Sequence, residues 1–147
     1  MNKIVNIFNI PIDAITMHET LKKFEDSVLE KTQIHHTVVN AGKIVLMQTD
    51  EELSKSVLEA DIINADGQAV VWASKILGSP LPERVSGIDL MEELVKQSFE
   101  KGYRCYFLGA KEEVVLNLIT FYKEKYSENI IAGYRNGYFK NTDEKKI

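Results

Sequence analysis

Short apolar segments rich in β-branched residues alternate with longer amphipathic segments through most of this chain. The short segments have the composition of buried strands, and the longer ones carry apolar residues at helical spacing. This alternation is typical of parallel sheets, because the connection between parallel strands is long and usually helical. We therefore predict an α/β protein with a Rossmann-like, open, mostly parallel sheet. Helices should cover both faces of the sheet, and a hairpin should precede it.

Two helix starts carry capping signals. Thr16 and Glu19 have the spacing of a capping box, which predicts a helix that runs to about Glu30. Thr49 and Glu52 repeat that spacing and predict a second start.

The length and the end of the sequence bear on domain organisation. A chain of 147 residues can bury one core, so we predict a single α/β domain over residues 1–147. Residues 40–43 are predicted to form a turn into the apolar segment 44–47. Residues 140–147 are polar, are predicted to begin a further helix and stop without a following strand. We therefore expect the domain to be truncated at its C-terminus.

Composition excludes several classes of protein. The formal net charge of −4 argues against nucleic-acid binding through overall charge. The single cysteine, Cys105, cannot form an internal disulfide, and we expect a buried thiol in a reducing cytoplasm. The N-terminus lacks the apolar core of a signal peptide, and no apolar run approaches the ~18–20 residues that span a bilayer. Any membrane contact is therefore expected to be peripheral.

Asp66 is the most informative candidate for a catalytic residue. Residues 61–63 are typical of the end of a buried strand, and apolar residues from Val70 onward fit one side of a helix. Asp66 therefore falls at the carboxyl end of a strand, the edge at which open α/β sheets bind ligands. A carboxylate there, beside Gly67, is a candidate catalytic base. The alternative is a helix N-cap, which the local sequence alone favours because Asp is a preferred capping residue.

Two further strand ends gather polar groups, at residues 37–40 with Lys43 and at residues 108–111. The carboxyl ends of parallel strands lie on one edge, so we expect these groups to converge with Asp66 on one cleft. Gly109 leads into a helix N-terminus, whose free N–H groups favour an anionic ligand such as a diphosphate. The spacing is not that of a dinucleotide-binding motif, and the usual role of a lone glycine is to permit the turn.

Arg84 lies on a predicted loop after Pro82. A guanidinium there can bind phosphate in a bidentate manner and stabilise a leaving group, although a surface salt bridge is the more common role of an arginine. Tyr134, Tyr138 and Phe139 could stack on a sugar or a base, but packing in the core is at least as common.

The sequence gives no indication of a metal site. His35 and His36 are adjacent on a predicted strand and point to opposite faces, so they cannot both line one site. There is no D-x-D, H-E-x-x-H or paired-cysteine motif. We therefore expect neither a metal nor another cofactor.

Several blocks of sequence, in order and sensibly spaced, cover nearly the whole chain. They are residues 39–41, 65–74, 83–90 and 106–110, and residues 133–134 with 137–139. The Asp-Gly loop together with Glu-Arg-Val-Ser-Gly-Ile-Asp at residues 83–89 is specific, whereas any one block is not. On these blocks the chain resembles the WecG/TagA/CpsF family of glycosyltransferases.

The resemblance implies an inverting, metal-independent enzyme. It would move N-acetylmannosamine from UDP-N-acetylmannosamine to N-acetylglucosamine on undecaprenyl diphosphate, early in the synthesis of the wall teichoic acid linkage unit. Asp66 matches the proposed base of the family, Thr37 and Asn40 line the same pocket, and Arg84 matches the residue near the donor diphosphate. The predicted catalytic residues are Asp66, Arg84 and Thr37. The predicted substrate-binding residues are Asn40, Asn64, Gly67, Gln68, Gly109, Ala110, Lys111 and Tyr138.

Family members continue with a further strand, a loop and often a basic appendage, none of which is in this sequence. The loop would complete the donor pocket, and the appendage would reach the inner face of the cell membrane. The full-length form is therefore expected to be a peripheral membrane protein, with homo-oligomerisation as a further expectation. The alternative to a transferase is a non-catalytic α/β module that binds a nucleotide sugar or drives oligomerisation.

Overall fold

The computed structural model describes residues 3–139 and has an α/β architecture that begins with an antiparallel hairpin, as predicted. In the described residues the strands are β1 (Ile4–Ile7), β2 (Ile10–Asp13), β3 (His36–Val39), β4 (Ile62–Ala65), β5 (Cys105–Leu108) and β6 (Ile131–Arg135). The helices are α1 (Met17–Glu30), α2 (Ala41–Leu46), α3 (Glu51–Leu58), α4 (Gln68–Ile76), α5 (Gly87–Lys101) and α6 (Glu112–Lys125), with a 3₁₀ turn at Glu128–Ile130.

The contacts of the chain cluster into two compact units, Met1–Met91 and Glu92–Ile147, and the boundary falls within α5. The described strands pair as β1 with β2 and β3 with β4 in the first unit, and β5 with β6 in the second. The last two pairs are parallel, as the alternation of strands and helices predicts. The single truncated domain over residues 1–147 stays a prediction.

The core of the first unit forms where the hairpin meets the parallel pair. β2 lies beside β4, and the carboxylate of Asp13 accepts a hydrogen bond from the backbone N–H of Ile63 at 2.9 Å. This carboxylate satisfies a buried backbone donor of β4 in place of a strand carbonyl. The buried apolar cluster comprises Val5, Ile7, Ile10, Ile12, Val39, Ile44, Met47, Val57, Ile63, Ala65, Val70 and Leu81.

The second unit is held by the packing of α6 on its parallel strands. The helix buries Val115, Ile119 and Tyr122, which follow one another at helical spacing. The ring of Tyr122 stacks on the ring of Phe107 from β5, with 5.6 Å between centroids. Cys105 is half-buried, and its thiol donates a hydrogen bond to Ser98 Oγ at 3.3 Å.

The two capping predictions have different outcomes. The capping box is confirmed at α1, where Thr16 Oγ1 accepts the N–H of Glu19 and the Glu19 carboxylate accepts the N–H of Thr16. The box predicted from Thr49 is wrong by one residue. Asp50 takes the cap position of α3, and its carboxylate accepts the N–H of Leu53 at 2.9 Å.

The turn predicted at residues 40–43 is also wrong, because α2 begins there. Asn40 is its N-cap and accepts the N–H of Lys43 at 2.8 Å. Ile44 and Met47 are buried three residues apart, so the apolar segment fits a helical turn. The helix start predicted at residues 140–147 lies outside the described residues.

Candidate active site

Asp66 lies in the loop between β4 and α4, as predicted. The parallel ladder of β3 and β4 extends as far as this residue, because the N–H of Asp66 donates to the carbonyl of Val39 at 2.8 Å. Asp66 is half-buried at the carboxyl edge of the strand pair. This is the edge at which ligands bind in open α/β sheets.

Asp66 is not the cap of α4, so that alternative is wrong. The cap position belongs to Gly67, whose backbone (φ 133°, ψ 133°) lies in a region that side-chain-bearing residues rarely adopt. Asp66 Oδ2 instead accepts the backbone N–H of Gly87, the first residue of α5, at 3.4 Å. This geometry orients the carboxylate towards the start of a different helix. Gln68, the first residue of α4, is exposed.

Residues 79–86, which we call the strap, lie between α4 and α5 and contact the end of β4. The N–H of Leu81 donates to Ser74 Oγ of α4 at 2.9 Å. The N–H of Val85 donates to the carbonyl of Ala65 at 2.9 Å, one residue before Asp66. The strap side chains of Leu81, Val85 and Ser86 are buried. The strap is therefore held against the strand end that carries Asp66.

Arg84 lies on the strap, with its side chain 46% exposed. Its Nη2 donates to Asp89 Oδ2 at 3.1 Å, and the Asp89 side chain is 59% exposed. An ion pair this exposed stabilises a protein by about 0–1 kcal/mol. The guanidinium can therefore exchange Asp89 for another anion at little energetic cost.

Asn40 and Thr37 come from β3 and its following loop. A Cβ atom added at Gly67 would lie 3.7 Å from Asn40 Cβ, so the Asn40 and Asp66 loops are adjacent. Thr37 is half-buried opposite Ile63, and strand alternation puts it on the face opposite to His36. The structure therefore brings Asn40 to the Asp66 loop, and it places Thr37 within β3 rather than at the strand end.

Lys43 also contacts the end of β3. Its Nζ donates to the carbonyl of Val38 at 2.7 Å, and the side chain is half-buried. This bond holds one cation close to the carboxyl edge of the strand pair.

Asn64 lies in a buried polar cluster. The side chain is fully buried, and Asn64 Oδ1 lies 3.3 Å from Thr20 Oγ1, which donates to it, and 2.9 Å from His36 Nε2. Among the described residues its Nδ2 has no hydrogen-bond partner. Burial lowers the pKa of His36, and its bond to Asn64 opposes that shift. These contacts give Asn64 a structural role between β4 and α1.

The remaining predicted residues lie in the second unit, around the loop after β5. Gly109 has φ 136° and Ala110 has φ 58°, and Lys111 is the N-cap of α6 without a side-chain capping bond. The N–H of Gly137 donates to the carbonyl of Ala110 at 2.9 Å. A Cβ atom at Gly137 would lie 3.2 Å from Gly109 Cα, so the two backbones cross closely. Next to this crossing, the largely exposed Tyr138 donates its N–H to Asn136 Oδ1 at 2.9 Å.

Three residues that shape the Asp66 site were not predicted as site residues from the sequence, namely Ser74, Glu83 and Gly87. Ser74 is fully buried, and the Glu83 carboxylate accepts the N–H of Met17, which is 66 positions away. The sequence signal that could have indicated them is a polar residue within an apolar helix face or a loop. Their hydrogen-bond partners depend on long-range packing, which the sequence pattern does not show.

No group of three or more His, Cys, Asp or Glu side chains within residues 3–139 could hold a metal ion. None of the helices in the same range is both long enough and apolar enough to cross a membrane.

The sequence model of the glycosyl transferase WecG/TagA/CpsF family matches residues 5–147. The chain belongs to this family.

Curated relatives of this family member carry the name N-acetylglucosaminyldiphosphoundecaprenol N-acetyl-beta-D-mannosaminyltransferase. The protein from Bacillus spizizenii is 39% identical over 85 residues, which cover 58% of this chain and 33% of the relative. The protein from Staphylococcus aureus strain NCTC 8325 is 28% identical over 142 residues, which cover 95% of this chain and 56% of the relative. The chain thus spans only about half the length of the Staphylococcus protein.

Proposed function

We propose that this chain carries the catalytic base of a transferase that moves N-acetylmannosamine from UDP-N-acetylmannosamine to N-acetylglucosamine on undecaprenyl diphosphate. The names of the Bacillus and Staphylococcus relatives support this acceptor and this sugar. The observation that carries the proposal is the position of Asp66, half-buried at the strand edge with its carboxylate held by the N–H of Gly87.

The chemistry is a single displacement at the anomeric carbon of the donor sugar. The acceptor hydroxyl oxygen forms a bond to that carbon while the bond from carbon to the UDP oxygen breaks, which inverts the configuration. Asp66 takes the hydroxyl proton as the oxygen attacks. Oδ2 is the atom that faces Gly87, so Oδ1 is the atom assigned to the acceptor hydroxyl.

Negative charge on the departing UDP needs an electrostatic partner. Arg84 supplies it by exchanging its exposed bond to Asp89 for the donor diphosphate. We propose that this cation and backbone N–H groups suffice without a metal ion or another cofactor. Arg84 and Asp66 would then serve the leaving group and the nucleophile, respectively.

The other predicted residues are assigned to binding. Thr37 and Asn40 are proposed to line the pocket around Asp66, together with Gly67 and Gln68. Gly109, Ala110, Lys111 and Tyr138 are proposed to contact the donor, because the loop after β5 presents the backbone N–H groups at the start of α6. The contacts of Asn64 favour a supporting role behind β4 over direct contact with substrate.

We further propose that the full-length protein acts at the inner face of the cell membrane, because its acceptor carries a polyprenyl chain. Homo-oligomerisation is part of the same proposal. Sedimentation with anionic lipid vesicles and analytical ultracentrifugation would measure these two properties. A full-length protein that stays monomeric and unbound to vesicles would contradict them.

A transfer assay tests the proposed function. The chain is incubated with UDP-N-acetylmannosamine and a diphospholipid-linked N-acetylglucosamine, with the Staphylococcus aureus relative as the control for the assay. We expect one N-acetylmannosamine to be added with a configuration opposite to that of the donor, at a rate that EDTA leaves unchanged. UDP binding without transfer would support the non-catalytic module instead. Inhibition by EDTA would contradict metal independence.

A further inference from the structure

Arg84 lies between two fixed neighbours on the strap. On one side, Val85 is 1% exposed and its N–H donates to the carbonyl of Ala65 at 2.9 Å. On the other side, the exposed carboxylate of Glu83 accepts a hydrogen bond from the backbone N–H of Met17. Met17 is the first residue of α1, so Glu83 joins the strap to the N-terminus of a 14-residue helix.

The N-terminus of α1 is a favourable partner for a carboxylate. The first N–H groups of a helix lack intrahelical acceptors, and the helix dipole adds positive charge there. The capping box already serves the N–H groups of Thr16 and Glu19. The N–H of Met17 is not served by the box, and Glu83 accepts it. The bond therefore adds to the cap and, in addition, fixes a loop that is remote in sequence.

We propose that Glu83 is a positioning residue for sugar transfer, because its bond to Met17 fixes the backbone from which Arg84 reaches the donor diphosphate. This inference rests on the proposed function. The Arg84 side chain is half-exposed and bonded to Asp89, so its backbone position determines where the guanidinium can reach. A displacement of about 1 Å at a catalytic group can lower a rate by about 10²-fold.

The test compares Glu83→Ala with two other variants. Glu19→Ala is the matched control, because it also removes a carboxylate from the N-terminus of α1 but leaves the strap attached. Glu83→Gln keeps an oxygen that can accept the N–H of Met17. The measurements are kcat and KM for transfer, the Kd for UDP by calorimetry, and the melting temperature.

We expect both alanine variants to lower the melting temperature. Only Glu83→Ala should lower kcat/KM, by about 10- to 100-fold, with weaker UDP binding. Glu83→Gln should restore most of the activity. If Glu83→Ala matches Glu19→Ala in kcat/KM and in Kd, Glu83 is only a helix cap and the inference is overturned.

Hydrogen exchange separates a failure of this inference from a failure of the proposed function. The Val85 amide should exchange faster in Glu83→Ala than in wild type or in Glu19→Ala, and this measurement needs no substrate. Unchanged exchange in an active protein overturns the positioning role alone. If the wild-type chain neither transfers sugar nor binds UDP, the proposed function is overturned. The role of Glu83 in that reaction is then overturned as well.

Discussion

Two strand-to-helix loops of this molecule contain a glycine with nearly the same unusual φ angle. Gly67, before α4, has φ 133°, and Gly109, after β5, has φ 136°. Their nearest neighbours differ in kind. The first loop has the side chain of Asn40 beside it and holds the Asp66 carboxylate against the N–H of Gly87. The second loop is crossed by backbone, at Gly137.

The two loops therefore present different chemical groups. In the first loop Gly67 follows Asp66, whose carboxylate lies at the strand edge and faces the start of α5. In the second loop, glycine and the left-handed Ala110 bring backbone to the surface before α6, and Lys111 leaves the first N–H groups of that helix without a side-chain cap. The first arrangement suits proton transfer, and the second suits binding of an anion.

Replacing each glycine with alanine should give the largest effects on the two loops. Both sites have room for a methyl group, so each variant should lose about 1–3 kcal/mol from backbone strain alone. Gly67→Ala should also lower turnover by displacing Asp66, whereas Gly109→Ala should mainly raise the Kd for UDP. Urea denaturation, transfer kinetics and calorimetry measure these effects. Equal changes in kcat and Kd for both variants would contradict the division of roles.

The backbone crossing in the second loop is tested by Gly137→Ala. The new Cβ would lie 3.2 Å from Gly109 Cα and 3.4 Å from the Ala110 nitrogen, and backbone atoms cannot move aside easily. We expect a loss of about 1–3 kcal/mol in the free energy of unfolding. Gly133→Ala is the control, because its Cβ would lie 2.8 Å from a ring carbon of Tyr106, a 49% exposed side chain that can turn towards solvent. A larger loss for Gly133→Ala than for Gly137→Ala would refute this explanation.

Asn40→Ala tests the role of Asn40 beside the first loop. It removes the N-cap of α2 and should lower stability by about 1 kcal/mol. Asp50→Ala removes the equivalent cap of α3 and should cost a similar amount. Only Asn40→Ala should also weaken donor binding, as calorimetry with UDP would measure. Identical UDP affinity in the two variants would remove Asn40 from the proposed pocket.

The smallest predicted effect is the pH dependence of stability that arises from His36, which lies beside Asn64 of β4. Because burial lowers the pKa of His36 from its ordinary 6.5, the unfolded chain binds the proton more tightly than the folded one. The contribution of neutral His36 is therefore complete above about pH 6.5 and is lost as the pH falls towards the folded-state pKa. Denaturation at pH values from about 7.5 to 5.5 should show a shallower slope in His36→Gln than in wild type. Equal slopes would contradict this prediction.

The sequence predicted well what depends on local pattern. The α/β class, the hairpin, the capping box at Thr16 and the place of Asp66 between β4 and α4 all follow from apolar spacing and capping chemistry. The errors at residues 40–43 and at Thr49 are also local. Asn40 caps a helix where a turn was predicted, and Asp50 takes the cap position that was predicted for Thr49.

Long-range partners could not be predicted from the pattern. The bond from Gly87 to Asp66 and the bond from Met17 to Glu83 join residues 21 and 66 positions apart, and their geometry depends on how β4, α1 and the strap pack. Asn64 illustrates the same limit. Its position in a polar cluster with Thr20 and His36 follows from the pairing of β3 with β4, which apolar composition does not specify.

The central claim, that Asp66 is the base, is tested most directly by Asp66→Asn. Asparagine has nearly the same shape and keeps an oxygen that can accept the N–H of Gly87, but it cannot take a proton from the acceptor hydroxyl. We predict that transfer slows by about 10²–10⁴-fold while the Kd for UDP stays close to that of wild type. Turnover within a few-fold of wild type in this variant would contradict the account.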